Sequence, residues 1–354
     1  MKLFTLIASI LFLTAISCSN KASTTSNDPE VSGNAVYYWK TVFNIDSTEM
    51  KFLRHHDIKR IYLRLFDVVE APYYYGRTDR TIPNATLRIP DRQFQLIRDS
   101  LSDIEFIPTI YITLNALREV WDDQGALASN IVSRVNNMCQ YNKLPNVSEL
   151  QLDCDWTETT EEYFFNLCDS VKACIAREKL PWKLSSTIRL HQLAGNVPPV
   201  DRGVLMVYNT GDYFNQDTFN SIIDPTEVVR YLSPLYDYPL HLDVAYPTYS
   251  WQLLFRERKF IGLLNGVNLS DPSLFSRKGN LYTAKKDFTH NDIRIFEGDV
   301  IREEDSDLDG ILDSRGAIEQ YLSTYPHSTI LYHLDSNNLS KYTSDEINAI
   351  FTGI

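Results

Sequence analysis

Short runs of apolar, β-branched and aromatic residues alternate along the chain with longer amphipathic stretches. The pattern predicts strands over Val36–Phe43, Arg60–Val68, Glu105–Thr113, Glu149–Asp155, Lys183–Leu190, Gly203–Tyr208, His241–Tyr246 and Thr329–Leu334. Helical periodicity marks Ser47–His56, Asp91–Leu101, Gly125–Tyr141, Thr160–Arg177, Thr226–Leu232, Ser314–Tyr325 and Thr343–Phe351. Phe260–Val267 reads as an extra strand or as loop. Thr159 and Glu162 have the spacing of a capping box, and Thr343 or Ser344 stands ready to cap the last helix. Eight strands interleaved with helices imply a parallel sheet, and the length suits a (β/α)8 TIM-type barrel. A doubly wound open sheet is the alternative. The barrel is favoured because several strand runs start apolar and finish polar, at Phe66-Asp67, Asp153 to Asp155, Tyr208-Asn209 and His333 to Asp335. Barrel sites are built at such strand ends, whereas an open sheet concentrates its site at one switch point.

Before the first strand the pattern differs. Lys2 precedes an apolar run from Leu3 to Ile16, too short to span a bilayer as a helix, which ends in Ala15-Ile16-Ser17-Cys18. This resembles the lipobox of bacterial lipoproteins, and the resemblance implies cleavage before Cys18 and lipidation of its thiol. An ordinary secretory signal is the other reading. Residues 19–34 are polar and carry no apolar period, as a flexible tether would be. The expected organisation is therefore a signal peptide (1–17), a lipidated Cys18 with its tether (18–34) and one barrel domain (35–354). Lys21 follows the cysteine and no acid precedes Asp28, so a periplasm-facing lipid anchor is expected over the cell surface.

Composition narrows the partners. A net charge of −12 argues against nucleic acid and anionic membrane surfaces, leaving the anchor as the expected membrane contact. Twenty-one tyrosines suit a neutral polar ligand such as a glycan. No glycine-rich nucleotide loop, G-x-S-x-G elbow or H-E-x-x-H occurs. Besides Cys18 there are four cysteines, Cys139, Cys154, Cys168 and Cys174; an exported chain permits disulfides, with three pairings open.

The densest chemistry lies in Glu149-Leu-Gln-Leu-Asp-Cys-Asp-Trp156. Alternation along a strand turns Leu150, Leu152 and Cys154 toward the helices and Gln151, Asp153 and Asp155 toward the barrel interior. Two close carboxylates perturb one another, and the one that keeps its proton is suited to general-acid work. Trp156 is expected at the rim, where an indole stacks on a sugar ring. Strand-end aspartates that bond arginines or helix N-termini are the plainer reading. Together with Met206-Val-Tyr208-Asn209 on the presumed sixth strand, Asp153 to Asp155 resembles the family 18 glycoside hydrolases, whose barrels carry D-x-x-D-x-D-x-E and M-x-Y-D strands. In that family the final Glu is the acid and the neighbouring Asp orients the acetamido group. Here the acid position holds Thr157 in one register and Asp155 in the other, with Gln151 in place of the preceding Asp, and Asn209 replaces the sixth-strand Asp. The strand also resembles a group of Bacteroidetes-type lipoproteins with a Q-x-D-x-D strand in a glycosidase-like barrel; this implies fold and export over nearly the whole mature chain and no particular activity.

Other residues are candidates for the same mouth. Arg64, inside an apolar run, needs a carboxylate, and Asp153 or Asp155 is expected to supply it. His241 and Asp243 alternate on the seventh strand; Asp243 is the candidate second carboxylate, in a role that the substrate's own acetamido group is the alternative to fill. Tyr208 and Asn209 are candidate ligand contacts, as is Tyr74 in the long polar loop from Glu70 to Pro90. Asp305, Asp307, Asp309 and Asp313, with Gly310, match the first half of a calcium loop; a structural calcium ion or a solvated acidic loop would each account for them, and no other cofactor is expected. The expected function is a glycan-acting hydrolase with Asp155 as acid and Asp153 beside it. The alternatives are a non-catalytic glycan-binding barrel, or an envelope interaction protein whose mouth the Glu70–Pro90 loop plugs.

Overall fold

The computed structural model describes residues 33–72, 80–322 and 326–354. The signal peptide, Cys18, the tether and Tyr74 lie outside them. The domain is a closed barrel of eight parallel strands: β1 (Asn34–Tyr38), β2 (Ile58–Glu70), β3 (Glu105–Ile112), β4 (Glu149–Asp153), β5 (Lys183–Arg189), β6 (Arg202–Met206), β7 (Leu242–Pro247) and β8 (Thr329–Tyr332). Each strand pairs with the next, and β1 closes the ring by pairing with both β2 and β8. The barrel expected from the sequence is the fold observed.

Two hydrophobic clusters follow from the strand period. Outward residues such as Leu150, Leu152 and Cys154 pack under helices Gln124–Asn142 and Glu161–Arg177. Inward residues, among them Tyr37, Tyr62, Ile107, Val204, Met206 and Ile330, fill the bore. A parallel barrel covered by helices buries both faces of each strand, so most strand positions here are inaccessible to water. The four cysteines are buried and unpaired, packed as small apolar residues.

Several local expectations change. The helix after β4 begins at Glu161 with Thr160 at its N-cap position, not Thr159, because the Thr160 side chain turns back to bond Thr157. The last helix, Ser344–Thr352, has the reciprocal cap between Thr343 and Glu346. Residues Ser250 to Asp305 form an inserted five-stranded antiparallel sheet between β7 and β8, of which only Phe260–Val267 was visible as a candidate strand. Its members Phe275–Lys278 and Val300–Asp305 carry charges at inward and outward positions alike, which hides the period of two. The calcium-loop reading finds no support: Asp305 ends a strand and pairs with Lys341, and Asp307 accepts from the Gly310 amide. Asp309 and Asp313 then sit within helix Leu308–Leu322, not in a loop. No metal-binding cluster occurs among the described residues. No helix among them is long and apolar enough to cross a membrane.

Candidate active site at the barrel mouth

The C-terminal strand ends converge as the barrel geometry demands. Asp153 is the last residue of β4 and stands level with Tyr111 on β3. Arg189 is the last residue of β5, and its guanidinium sits between the two aspartates. Its Nη2 donates to Asp153 at 3.2 Å, and its Nε donates to Asp155. The Thr187 hydroxyl donates to the same Asp153 oxygen at 2.7 Å. One layer lower, Gln151 accepts from the Tyr37 hydroxyl at 2.8 Å. The inward placement of Gln151 and Asp153 thus agrees with the alternation read from the sequence.

The two aspartates differ in exposure. Asp153 is buried, whereas the Asp155 side chain is 45% exposed. Burial pushes the Asp153 carboxyl above its usual range; Arg189 opposes this and the neighbouring Asp155 charge adds to it. The Tyr111 hydroxyl, half-buried beside the same pair, is pushed up to about 12 by burial and then by Asp155 and Asp153. Arg189 is held firmly as a cation by the two aspartates against its own desolvation.

A cavity of about 310 Å³ opens on this cluster. Asp155, Arg189 and His191 line it together with Tyr208, Asn209 and Thr210. Arg189 keeps its buried Nη1 without a hydrogen-bond partner among the described residues. Its guanidinium lies 5.8 Å from the Tyr208 ring, and Tyr208 packs on Tyr332 at 4.9 Å. Asn209 has φ of 55°, a left-handed conformation that Asn tolerates better than most residues, and accepts from the Tyr249 hydroxyl at 2.7 Å. Burial lowers the proton affinity of His191, so this ring tends to the neutral form.

Four of the expected site residues stand elsewhere. Trp156 is 2% exposed and lies under helix Glu161–Arg177, stacked on Phe164 with Phe165 at its edge. The reason is the strand period itself: position 156 shares the outward face of 150, 152 and 154. Arg64 does not reach the aspartates of β4. It pairs with Asp67 three residues along the same strand and lies over the Trp39 ring at 5.2 Å. Asp243 and His241 are at the opposite end of the barrel. Asp243 is the second residue of β7, fully buried, and is paired with Arg202 at 2.9 Å, Arg60 at 3.3 Å and His241 at 3.7 Å. Burial pushes its carboxyl up, but His241, Arg202 and Arg60 outweigh that and hold it below the usual range. It is a floor residue, out of the mouth's chemistry.

The sequence reading missed Arg189, Thr187, Tyr37, Tyr249 and Tyr332. Arg189 had a signal: it ends an apolar strand run, where the same logic picked out Asp153. The described part of the Glu70–Pro90 segment forms a hairpin strand, Thr81–Asn84, on β2 and then returns along the outer core through Leu87 and Ile89.

In sequence, no family model and no curated protein matches the chain. Its structure resembles the Bacillus cereus spore cortex-lytic enzyme SleL, with a TM-score of 0.52 at 11% identity over 86% of this chain and 71% of that one. It also resembles a GH18 chitinase from Cycas revoluta, in complex with (GlcNAc)4, with a TM-score of 0.51 at 9% identity over 90% and 97% of the two chains. A chitinase from Chromobacterium violaceum gives 0.50 at 10% identity over 91% and 98%. At such identities the likeness is one of architecture, and this chain is a (β/α)8 barrel built on the same plan as these three.

Proposed function

We propose that this barrel acts on a glycan held at the C-terminal mouth, with Asp155 as the proton donor to the scissile oxygen. Asp153, buried beneath it, positions Asp155 and the substrate through the shared Arg189. The observation that carries the reading is the pair itself: one buried and one half-exposed aspartate on consecutive inward positions, opening on a cavity of about 310 Å³. With Asp243 on the floor, the nucleophile's role falls to the substrate's own acetamido group, the mode implied by the resemblance to family 18. The SleL and chitinase structures support this reading through their fold. The free Nη1 of Arg189 supplies a donor for a sugar hydroxyl or carbonyl.

A second reading has its own observation. Arg189 bonds both aspartates, so an acid at Asp155 must give up that contact before it can deliver a proton. A barrel that binds glycans without cleaving them fits this arrangement. The two readings separate in one experiment. The chain is incubated with oligosaccharides with and without N-acetyl groups, and products are followed by chromatography alongside binding by thermal shift, for wild type and Asp155→Asn. Product lost in the variant establishes hydrolysis. Binding without product in either establishes the binding protein.

The same proposal places the barrel in the cell envelope, facing the periplasm on a lipid carried by Cys18. The support is the apolar run ending in Ala15-Ile16-Ser17-Cys18 and the polar stretch after it. Cys18→Ala should then release the protein from the membrane fraction; a variant that stays membrane-bound would sink the anchor.

A further inference from the structure

A cavity larger than that of the mouth lies on the outside of the barrel, about 790 Å³, between helix Gln124–Asn142 and the returning segment at Thr86 to Ile89. A second cavity of about 430 Å³ adjoins it, sharing Asn130 and Arg134, and runs up toward the hairpin strand Thr81–Asn84. The helix contributes Asn130, Arg134, Asn137 and Tyr141, spaced four, three and four apart, which is one stripe of an α-helix. It presents amides, a guanidinium and a tyrosine that is 79% exposed, with Asn130 and Asn137 also exposed and Arg134 half-buried.

Charge is the second observation. The chain has 46 acidic against 34 basic residues, yet no carboxylate among the described residues lines either cavity. Both cations, Arg88 and Arg134, are without an ion-pair partner among the described residues, unlike the arginines of the mouth and floor. Arg134 is fixed in place, its guanidinium 4.9 Å over the Phe66 ring and its Nη2 donating to Thr86 at 3.1 Å. Its Nε is buried and has no hydrogen-bond partner among the described residues. A pre-positioned guanidinium with unused donors is suited to a planar or tetrahedral oxyanion.

We infer that this groove is a second binding site, for the anionic substituents of an acidic oligosaccharide. Arg134 and Arg88 take the anion, Asn130 and Asn137 take ring hydroxyls, and Tyr141 covers a sugar face at the end of the stripe. The choice of a saccharide as bearer of the anion rests on the reading of the mouth; the anion preference rests on the groove alone. Such a site would hold a polymer on the outer wall while another part of it enters the mouth.

The test is calorimetric titration of the full chain with an oligogalacturonate, a sulfated heparin-derived oligosaccharide and a neutral chito-oligosaccharide. Wild type should bind one or both acidic ligands, more weakly at high salt. Carboxylate and sulfate arms identify which oxyanion is taken. Arg134→Met and Arg88→Glu should each weaken that binding about tenfold or more, as expected for a lost charged hydrogen bond, and Tyr141→Ala should weaken it less. Arg88 and Tyr141 are exposed, so their variants carry the test even if Arg134→Met folds poorly. Asp155→Asn should leave acidic-ligand binding at the groove intact. Absence of binding to both acidic ligands, or affinities unmoved by Arg88→Glu and Tyr141→Ala, overturns the site. Neutral-ligand binding that responds only to Asp155→Asn would leave the mouth reading standing without it.

Discussion

The mouth and the floor of the barrel both hold inward-facing carboxylates paired with arginines, and the mouth opens on a cavity. On the floor, Arg60, Glu105, Glu149, Arg202 and Asp243 come from within the first three residues of five strands. Asp243 is fully buried, is bracketed by two guanidiniums and accepts from the Ser328 amide at 2.7 Å. At the mouth, Asp153 and Arg189 come from last residues, and Asp155 rises beyond the strand into a cavity. The chemistry of the groups is alike. What differs is the strand end they occupy, and with it the access of water and ligand. At the floor the charges are satisfied within the ring; at the mouth they border a cavity.

The largest expected effects fall on buried groups. Asp243→Ala leaves Arg60 and Arg202 facing each other in the barrel floor, and should cost about 3–5 kcal/mol in urea unfolding. Trp156→Ala removes a fully packed indole from under its helix and should cost a similar amount, roughly 3–5 kcal/mol. Neither should alter glycan affinity per folded molecule. A Trp156→Ala protein that folds normally but loses glycan binding would return that residue to the mouth. Next in size is a pH effect on the floor. Burial pushes the Glu149 carboxyl up to about 7, with Arg202 and Arg60 opposing it. The folded state therefore holds a proton there that the unfolded chain releases near pH 4.5. This contribution is fully present below that value and lost as pH rises toward 7, on the order of 3 kcal/mol. Asp243 runs the other way, since its lowered carboxyl favours the fold above the ordinary range and fails as pH falls. Glu149→Gln should flatten the decline of stability between about pH 4.5 and 7, measured by unfolding at a series of pH values; an unchanged slope would put the titration elsewhere.

The contrast between the two ends also marks what was legible in the sequence. Strand number and order were readable because each run is short, apolar and separated by a helix. The inward pair Gln151 and Asp153 was readable from alternation alone. Alternation also placed Trp156 outward, and an expectation drawn from its sugar-stacking chemistry displaced that simpler inference. Asp243 was misassigned because alternation gives the face of a strand and not the height along it. The predicted strand began at His241 and the observed one at Leu242, so two residues from the start is the floor by any reading of a parallel barrel. Arg64 illustrates partner choice: Asp67, three residues on, outcompetes carboxylates that come from another strand. The inserted sheet was illegible because its pairing is made by hydrogen bonds between strands of mixed polarity. Its core depends on Leu254, Tyr282, Ile295 and Ile301 meeting from distant parts of the sequence.

The smallest expected effect on stability is the most informative about function. Asp155 shares Arg189 with Asp153, is nearly half exposed, and stands past the end of its strand. Replacing it with Asn keeps the shape and removes one charge from a pair that water already screens. The fold should lose no more than about 1 kcal/mol, because Arg189 retains Asp153 and Asp153 retains Thr187. Glycan turnover, or glycan affinity if no turnover exists, should change by a much larger factor than stability does. Thermal unfolding and glycan assays on one preparation of Asp155→Asn decide the matter. If the variant is as unstable as Asp243→Ala, Asp155 is a structural ion-pair partner and the mouth resembles the floor. If it is stable and its glycan behaviour is altered, the difference between the two ends of this barrel is the difference between holding a fold and holding a ligand.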